Sequence, residues 1–252
     1  MDIKEIKNEN IKLRKINMKA DYPLCADFEY CFSSFCSGFC MVINGYSGSG
    51  KTNLLVNLLS NNKKKNKNRC SFKKLFHTIF VVSPSLHTLE NNIFKDLPDE
   101  CKHTELNLDT IDEYNNIIKQ QQEMNDEPNF NLLILDDVGN SIRQNKKVED
   151  TFNKIISNRR HNNTSIIMLL QNITQIPPKI RTNLSHLITF KPKTIEEEER
   201  IYSFLKLPKK HINEFFKYIF DEPHTFLFID MSLKLSPDFI FYKKFNKLEI
   251  FF

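Results

Sequence analysis

The eight residues Gly45-Tyr46-Ser47-Gly48-Ser49-Gly50-Lys51-Thr52 constrain this chain more than any other feature. They fit the pattern G-x-x-x-x-G-K-[ST], which cradles phosphate when a strand leads into it and a helix leaves it. The 252 residues contain only five glycines, and three of them, Gly45, Gly48 and Gly50, fall in this stretch. Glycine lets backbone N–H groups turn toward an anion with no Cβ in the way. The apolar run at 40–44 supplies the strand, and Leu54, Leu55, Leu58 and Leu59 give the following segment one apolar helical face.

From residue 41 onward, helix and strand patterns alternate, which predicts an α/β fold with a mostly parallel sheet flanked by helices. Strands are expected at 77–82, 132–135, 165–170 and 186–190, and a helix at about 148–159 with Phe152, Ile155 and Ile156 on one face. Residues 86–123 read as short helices around a strand near Leu106. Beyond 194 the pattern is helical through Phe220, followed by strands at 225–229 and 238–242. No internal repeat and no linker interrupts this series. Residues 1–24 are expected to be an arm, 25–192 a core, and 193–252 an extension packed on that core.

The run Leu132-Leu133-Ile134-Leu135-Asp136-Asp137 carries the second chemical signal. Four apolar residues specify a buried strand and deliver Asp136 to the carboxyl edge of the sheet, where the glycine loop also sits. Lys51 has the reach and charge for terminal phosphates. Thr52 supplies a hydroxyl for Mg²⁺, with Asp136 as the magnesium-side carboxylate. Asp137 is next in line to orient and polarise an attacking water. The strand at 165–170 ends at Gln171, whose amide lies at the same edge and could sense a terminal phosphate or hold that water. Tyr46, Ser47, Ser49 and Asn53 complete the set expected to line the nucleotide. No N-K-x-D motif for reading guanine is evident, so ATP is the expected nucleotide. Arg159-Arg160-His161 ends the helix before the 165–170 strand, so it falls at the opposite edge or flank and could reach a neighbour's nucleotide instead of its own.

Composition excludes some classes. No apolar stretch approaches the roughly 20 residues needed to span a bilayer, and the charged N-terminus lacks the apolar region of a secretory signal. An intracellular, reducing setting is the expectation. Cys25, Cys31, Cys36 and Cys40 cluster, but their spacing lacks paired C-x₂-C knuckles, so buried reduced thiols are expected over a metal site. The formal charge of +5 argues for no particular partner. Its distribution places a basic run at 63–69 and an acidic block at 196–199, each expected to be a solvated surface.

Taken in order, GYSGSGKT, LLILDD, NRRHNNTSIIMLLQN and IPPKIRTNLSHLITF resemble the FtsK/HerA superfamily of DNA-pumping ATPases. The resemblance is greatest to the compact genome-packaging ATPases of poxviruses, other large DNA viruses and virophages. It covers about residues 38–192. It implies a RecA-like P-loop core with strand order 5-1-4-3-2, ATP and Mg²⁺ as ligands, and a homo-oligomeric ring, pentameric or hexameric, around double-stranded DNA. Lys51 and Thr52 would take the phosphate and metal roles, Asp136 the magnesium role and Gln171 the sensor role. Arg160 would complete the neighbouring subunit's site, with Arg159 as its substitute, and Arg181 resembles a further arginine near the ring interface. Many members carry glutamate where this chain has Asp137, one methylene shorter.

The expectation is therefore an ATP-driven translocase that packs viral DNA into a preformed capsid, gripping the duplex through its phosphates without sequence preference. Capsid or portal-vertex proteins would be its partners, and the host cytoplasm, a viral factory or the virion its location. Residues 139–147 are expected to be a loop that relays nucleotide state to DNA through Arg143, Lys146 and Lys147. A plasmid-type translocase or helicase of the same superfamily is the first alternative, and a slow nucleotide-dependent scaffold the second.

Overall fold

The computed structural model describes residues 2–6, 38–59, 76–86, 93–124, 129–176, 178–205, 207–232 and 240–251. The expected basic run at 63–69 and Cys25, Cys31 and Cys36 lie outside them.

The described strands are β1 (Asp2–Ile6), β2 (Cys40–Asn44), β3 (Thr78–Val82), β4 (Lys102–His103), β5 (Asn131–Asp136), β6 (Thr164–Leu170), β7 (His186–Phe190), β8 (Phe226–Asp230), β9 (Ile240–Lys243) and β10 (Asn246–Phe251). They form one sheet in the order β1-β10-β9-β8-β7-β2-β6-β5-β3-β4. Strands β7, β2, β6, β5, β3 and β4 are parallel, and β8, β9, β10 and β1 continue the sheet antiparallel. The expected order 5-1-4-3-2 describes the five long parallel strands, but the whole sheet differs from it by the short strand β4 at one end and four antiparallel strands at the other.

The five long parallel strands are built on apolar runs because both of their faces are covered. Met41, Ile43, Val81, Ile134, Ile167 and Ile188 face helix α1 (Lys51–Leu59) through Leu54, Leu55, Leu58 and Leu59. Val42, Val82, Leu133, Leu135, Ile166 and Leu187 face a second layer that includes α2 (Leu108–Met124) and α4 (Lys146–Asn158), which follows the short α3 (Gly139–Gln144). The same layer holds α5 (Pro178–Arg181), α6 (Ile195–Leu205) and α7 (Ile212–Ile219). Helix α4 buries Val148, Phe152, Ile155 and Ile156, the spacing of one helical stripe. Its start is fixed by Asn145, whose side chain accepts from the Lys147 and Val148 N–H groups at 3.0 and 3.3 Å.

Several expectations need correction. Residues 139–147 are no loop: Gly139–Gln144 form α3, and Asn145 caps the helix that begins at Lys146. Helical periodicity had too little length there to show. The strand expected near Leu106 lies at Lys102–His103, and residues 108–124 form one long helix in place of short ones. Part of the expected arm is β1, paired antiparallel with β10 from Asp2↔Phe251 to Ile6↔Lys247. The extension does not simply pack on the core, since its strands extend the core's own sheet through β7↔β8 pairing. Both described cysteines, Cys40 and Cys101, are buried free thiols. Burial pushes Cys40 up to about 12 and Cys101 to about 11.

Candidate functional site

Strand β2 lies where the connections diverge, with β6 on one side and β7 on the other. Open α/β sheets form a crevice at such a switch point, beyond the carboxyl ends of the strands. The glycine loop occupies it. Gly45 N–H extends the β2/β6 ladder by donating to Leu170 O at 3.0 Å, and Ser49 N–H closes a turn onto Tyr46 O at 3.1 Å. Gly48 and Gly50 adopt φ of +81° and +108°, backbone that other residues reach only under strain. At Gly45 the constraint is space, since a Cβ would stand 2.6 Å from Ser49 Oγ and 2.9 Å from Phe190 Cβ.

Helix α1 starts as the loop ends, and Leu54 N–H donates to Gly50 O at 2.8 Å. By helix geometry, the N–H groups of Gly50, Lys51, Thr52 and Asn53 have no acceptor within the helix. Its first turn carries no acidic residue to neutralise the positive end of the helix dipole. Ser49 Oγ is buried with no hydrogen-bond partner among the described residues. These features fit an anion bound to this loop. Lys51 Nζ folds back on the loop, donating to Gly45 O at 2.5 Å and Tyr46 O at 3.1 Å. Burial lowers its pKa, while Asp136 and Asp137 pull the other way.

The carboxylates arrive from β5. Asp136 Oδ2 accepts from Ser83 Oγ at 2.8 Å and Ser85 Oγ at 3.4 Å, both from the segment after β3. Burial raises the Asp136 pKa; Asp137 adds to the rise, and the two hydroxyls and Lys51 oppose it. Its Oδ1 accepts no hydrogen bond from a described residue. Together with the Thr52 hydroxyl in the first turn of α1, this oxygen gives the hard donor set that suits Mg²⁺. Asp137 is exposed, at φ +55°, and its N–H donates to Leu169 O at 3.0 Å. Gln171 Nε2 donates to Asp137 Oδ2 at 2.6 Å. Thus three strand ends, β2, β5 and β6, bring Lys51, Thr52, Asp136, Asp137 and Gln171 to one edge.

The arginines divide sharply. Arg159 is only 4% exposed. Its guanidinium donates to Gly38 O at 2.9 Å, Ile156 O at 2.6 Å and Asn183 O at 3.0 Å, so it ties the amino ends of β2 and β7 to α4. These bonds hold its guanidinium within its own chain. Arg160 is exposed, and its Cα is the atom a Cβ on Gly38 would meet at 3.0 Å, which puts it at the amino edge, away from the loop of its own chain. Arg181 ends α5 half-buried; burial lowers its pKa, and the Arg200 charge lowers it further. Of the expected DNA contacts, Lys146 and Lys147 are exposed in the first turn of α4. Arg143 Nη1 donates to Thr174 O at 3.4 Å.

Sequence reasoning missed four contributors. Ser83 and Ser85 could have been suspected from their place after an apolar run. Lys193, whose ammonium stands 3.9 Å from the centre of the Tyr46 ring, and His224, whose Nδ1 lies 3.0 Å from Ser49 O, follow no motif. The acidic block proves partly local: Glu197 Oε2 accepts from Lys193 N–H at 2.8 Å while Glu197 N–H donates to Thr194 Oγ1 at 3.2 Å, which fixes the start of α6.

The sequence-family profile described as Poxvirus A32 protein matches residues 32–225. No curated protein matches the sequence. Among solved structures, the DNA-packaging ATPase B204 of Sulfolobus turreted icosahedral virus is similar with TM-score 0.58 and 15% identity, over 82% of this chain and 97% of that one. The genome-packaging NTPase B204 of Sulfolobus turreted icosahedral virus 2, in complex with ATP-γS, gives 0.57 and 13% over 83% and 98%. The pCW3 conjugation coupling protein TcpA, also with ATP-γS, gives 0.53 and 12% over 92% and 70%. At these identities the structural likenesses establish the fold.

Proposed function

The chain belongs to the Poxvirus A32 protein family, and we propose that it is a viral DNA-packaging ATPase. The observation that carries this reading is the gathering of Lys51, Thr52, Asp136, Asp137 and Gln171 at one sheet edge beside an anion-ready loop. The packaging ATPases named above share the fold and supply the reading's context.

The loop N–H groups and the start of α1 bind the phosphates of ATP, and Lys51 exchanges the Gly45 and Tyr46 carbonyls for the terminal phosphates. Thr52 and Asp136 would hold Mg²⁺, which neutralises charge on the phosphate oxygens. Ser83 and Ser85 fix the Asp136 carboxylate through one oxygen and leave the other for this purpose. Asp137 orients and polarises the water that attacks the γ-phosphorus, releasing ADP and phosphate. Gln171, bonded to Asp137, holds that carboxylate in place and reports the γ-phosphate to β6. The shorter Asp137 draws on this amide to stay aimed.

The protein assembles as a homo-oligomeric ring of five or six subunits on double-stranded DNA, contacted through phosphates. The exposure of Arg160 at the amino edge supports its acting on a neighbour's nucleotide. Capsid or portal-vertex proteins are the further partners, and the host cytoplasm, viral factory or virion the setting. No helix among the described residues is long and apolar enough to cross a membrane.

The test is ATP turnover with and without double-stranded DNA, with particle mass measured in parallel. Turnover that DNA raises, in a ring that forms with nucleotide, is the expected result. Turnover indifferent to DNA with no assembly would leave the slow scaffold as the better reading, and strand separation in place of duplex translocation would favour a helicase.

A further inference from the structure

The turn between α7 and β8 sends one side chain across to the phosphate loop. His224 adopts φ +61°, a left-handed conformation that costs a β-carbon-bearing residue energy, and such strain persists where the surroundings over-determine it. The surroundings do so here. Thr225 Oγ1 donates to Glu222 O at 2.7 Å, and Lys243 and Lys244 of the β9–β10 hairpin pair with Asp221 at 2.6 Å and Glu222 at 3.4 Å. Lys244 N–H also donates to Phe226 O at 2.8 Å. The result is that His224 Nδ1 stands 3.0 Å from Ser49 O. Since the carbonyl can only accept, Nδ1 is the donor.

The peptide bond joining Ser49 to Gly50 is planar, and in a trans peptide the C=O and N–H point in opposite directions. With no cis peptide among the described residues, fixing the Ser49 carbonyl on His224 fixes the Gly50 N–H the other way. That N–H stands at the head of α1 and belongs to the set with no helical acceptor. Gly50, at φ +108° and without a Cβ, could otherwise turn this peptide over at little cost and present a carbonyl to the anion. We propose that His224 is a positioning residue for nucleotide binding: it latches the Ser49–Gly50 peptide so that the Gly50 N–H faces the phosphates. The proposal rests on the nucleotide site proposed above. It makes the antiparallel extension part of the phosphate site, through a residue that touches the loop and need not touch the nucleotide.

The experiment is calorimetric titration of ADP into the intact chain and into His224→Ala, His224→Asn and His224→Gln, with thermal melts and steady-state ATPase on each. Asparagine places an amide N–H near the Nδ1 position and tolerates positive φ, whereas glutamine places it near Nε2. Losing one oriented donor to a charged acceptor should weaken ADP binding about tenfold in the Ala variant. The Asn variant should return to within about threefold of the parent, and Gln should remain weak. Across the series, KM for ATP should rise with kcat nearly constant. Equal ADP affinity in the parent and a folded Ala variant would overturn the latch and leave the nucleotide site standing. So would failure of Asn to rescue while its melt matches the parent's. A folded parent that binds neither ADP nor ATP would overturn the site itself, and the latch with it.

Discussion

Asp136 is a carboxylate held against its own preference. Burial raises its pKa and Asp137 raises it further, so its ionised form costs the fold free energy at neutral pH. The sign follows directly: a carboxyl whose native pKa exceeds its unfolded value favours folding as pH falls through that native pKa, and penalises it above. Asp136→Asn keeps an acceptor for Ser83 and removes the charge. It should therefore melt at a higher temperature than the parent at neutral pH, with the gap closing under acid conditions, while ATP hydrolysis is lost. A melting series from neutral to acid pH, run beside an ATPase assay, reads both. A variant less stable at neutral pH would show that Lys51 and the serines outweigh burial. At this scale the sequence was generous: Lys51, Thr52, Asp136, Asp137 and Gln171 were all legible, because each ends an apolar run or fills a fixed motif position. His224 was not, because its place depends on how a distant turn folds back.

Helix α4 ends on two adjacent arginines with opposite fates, and nothing local tells them apart. Arg159 turns inward to three carbonyls and Arg160 turns out, a difference set by which one faces the strands that α4 happens to cover. Arg159→Ala would strand several buried carbonyls, at about 1–3 kcal/mol each, and should destabilise the chain by about 3 kcal/mol or more in denaturant unfolding. Arg160→Ala should change stability by no more than about 0.5 kcal/mol. If Arg160 acts across subunits, mixing Arg160→Ala with Asp137→Ala chains should recover part of the lost ATPase, because some interfaces then contain neither lesion. Inactivity in rings shown to be mixed would count against that role. The same dependence on tertiary context explains the elements that escaped the sequence. Helix α3 is six residues long and opens on Gly139-Asn140-Ser141, a turn-like composition, and β1 and β10 are charged strands whose pairing, β1 with β10 and β10 with β9, only the folded sheet reveals.

Across the whole molecule, the five long parallel strands were legible because they are buried on both faces and therefore largely apolar, and β8 and β9 were legible from their own apolar runs, whereas β10 and β1 mix Lys, Asn, Asp and Glu into theirs. Protection should follow the same division. Strand β2 is paired on both sides, with β6 from Cys40↔Ile166 to Asn44↔Leu170 and with β7 from Met41↔His186 to Asn44↔Thr189. Its amides can exchange only when the sheet opens as a whole. Hydrogen exchange followed by mass spectrometry should show peptides over residues 40–44 and 164–170 as the slowest, with residues 102–103 and 2–6 much faster. Uniform rates across the sheet would mean that the flank and the centre unfold as one unit. The double pairing of β2 also has a mechanical meaning. A tug on the phosphate loop directed along the strands strains the ladders on both sides of β2 together, as in shear, and not one bond after another as in unzipping. Tension delivered at the nucleotide therefore spreads into the sheet on both sides at once.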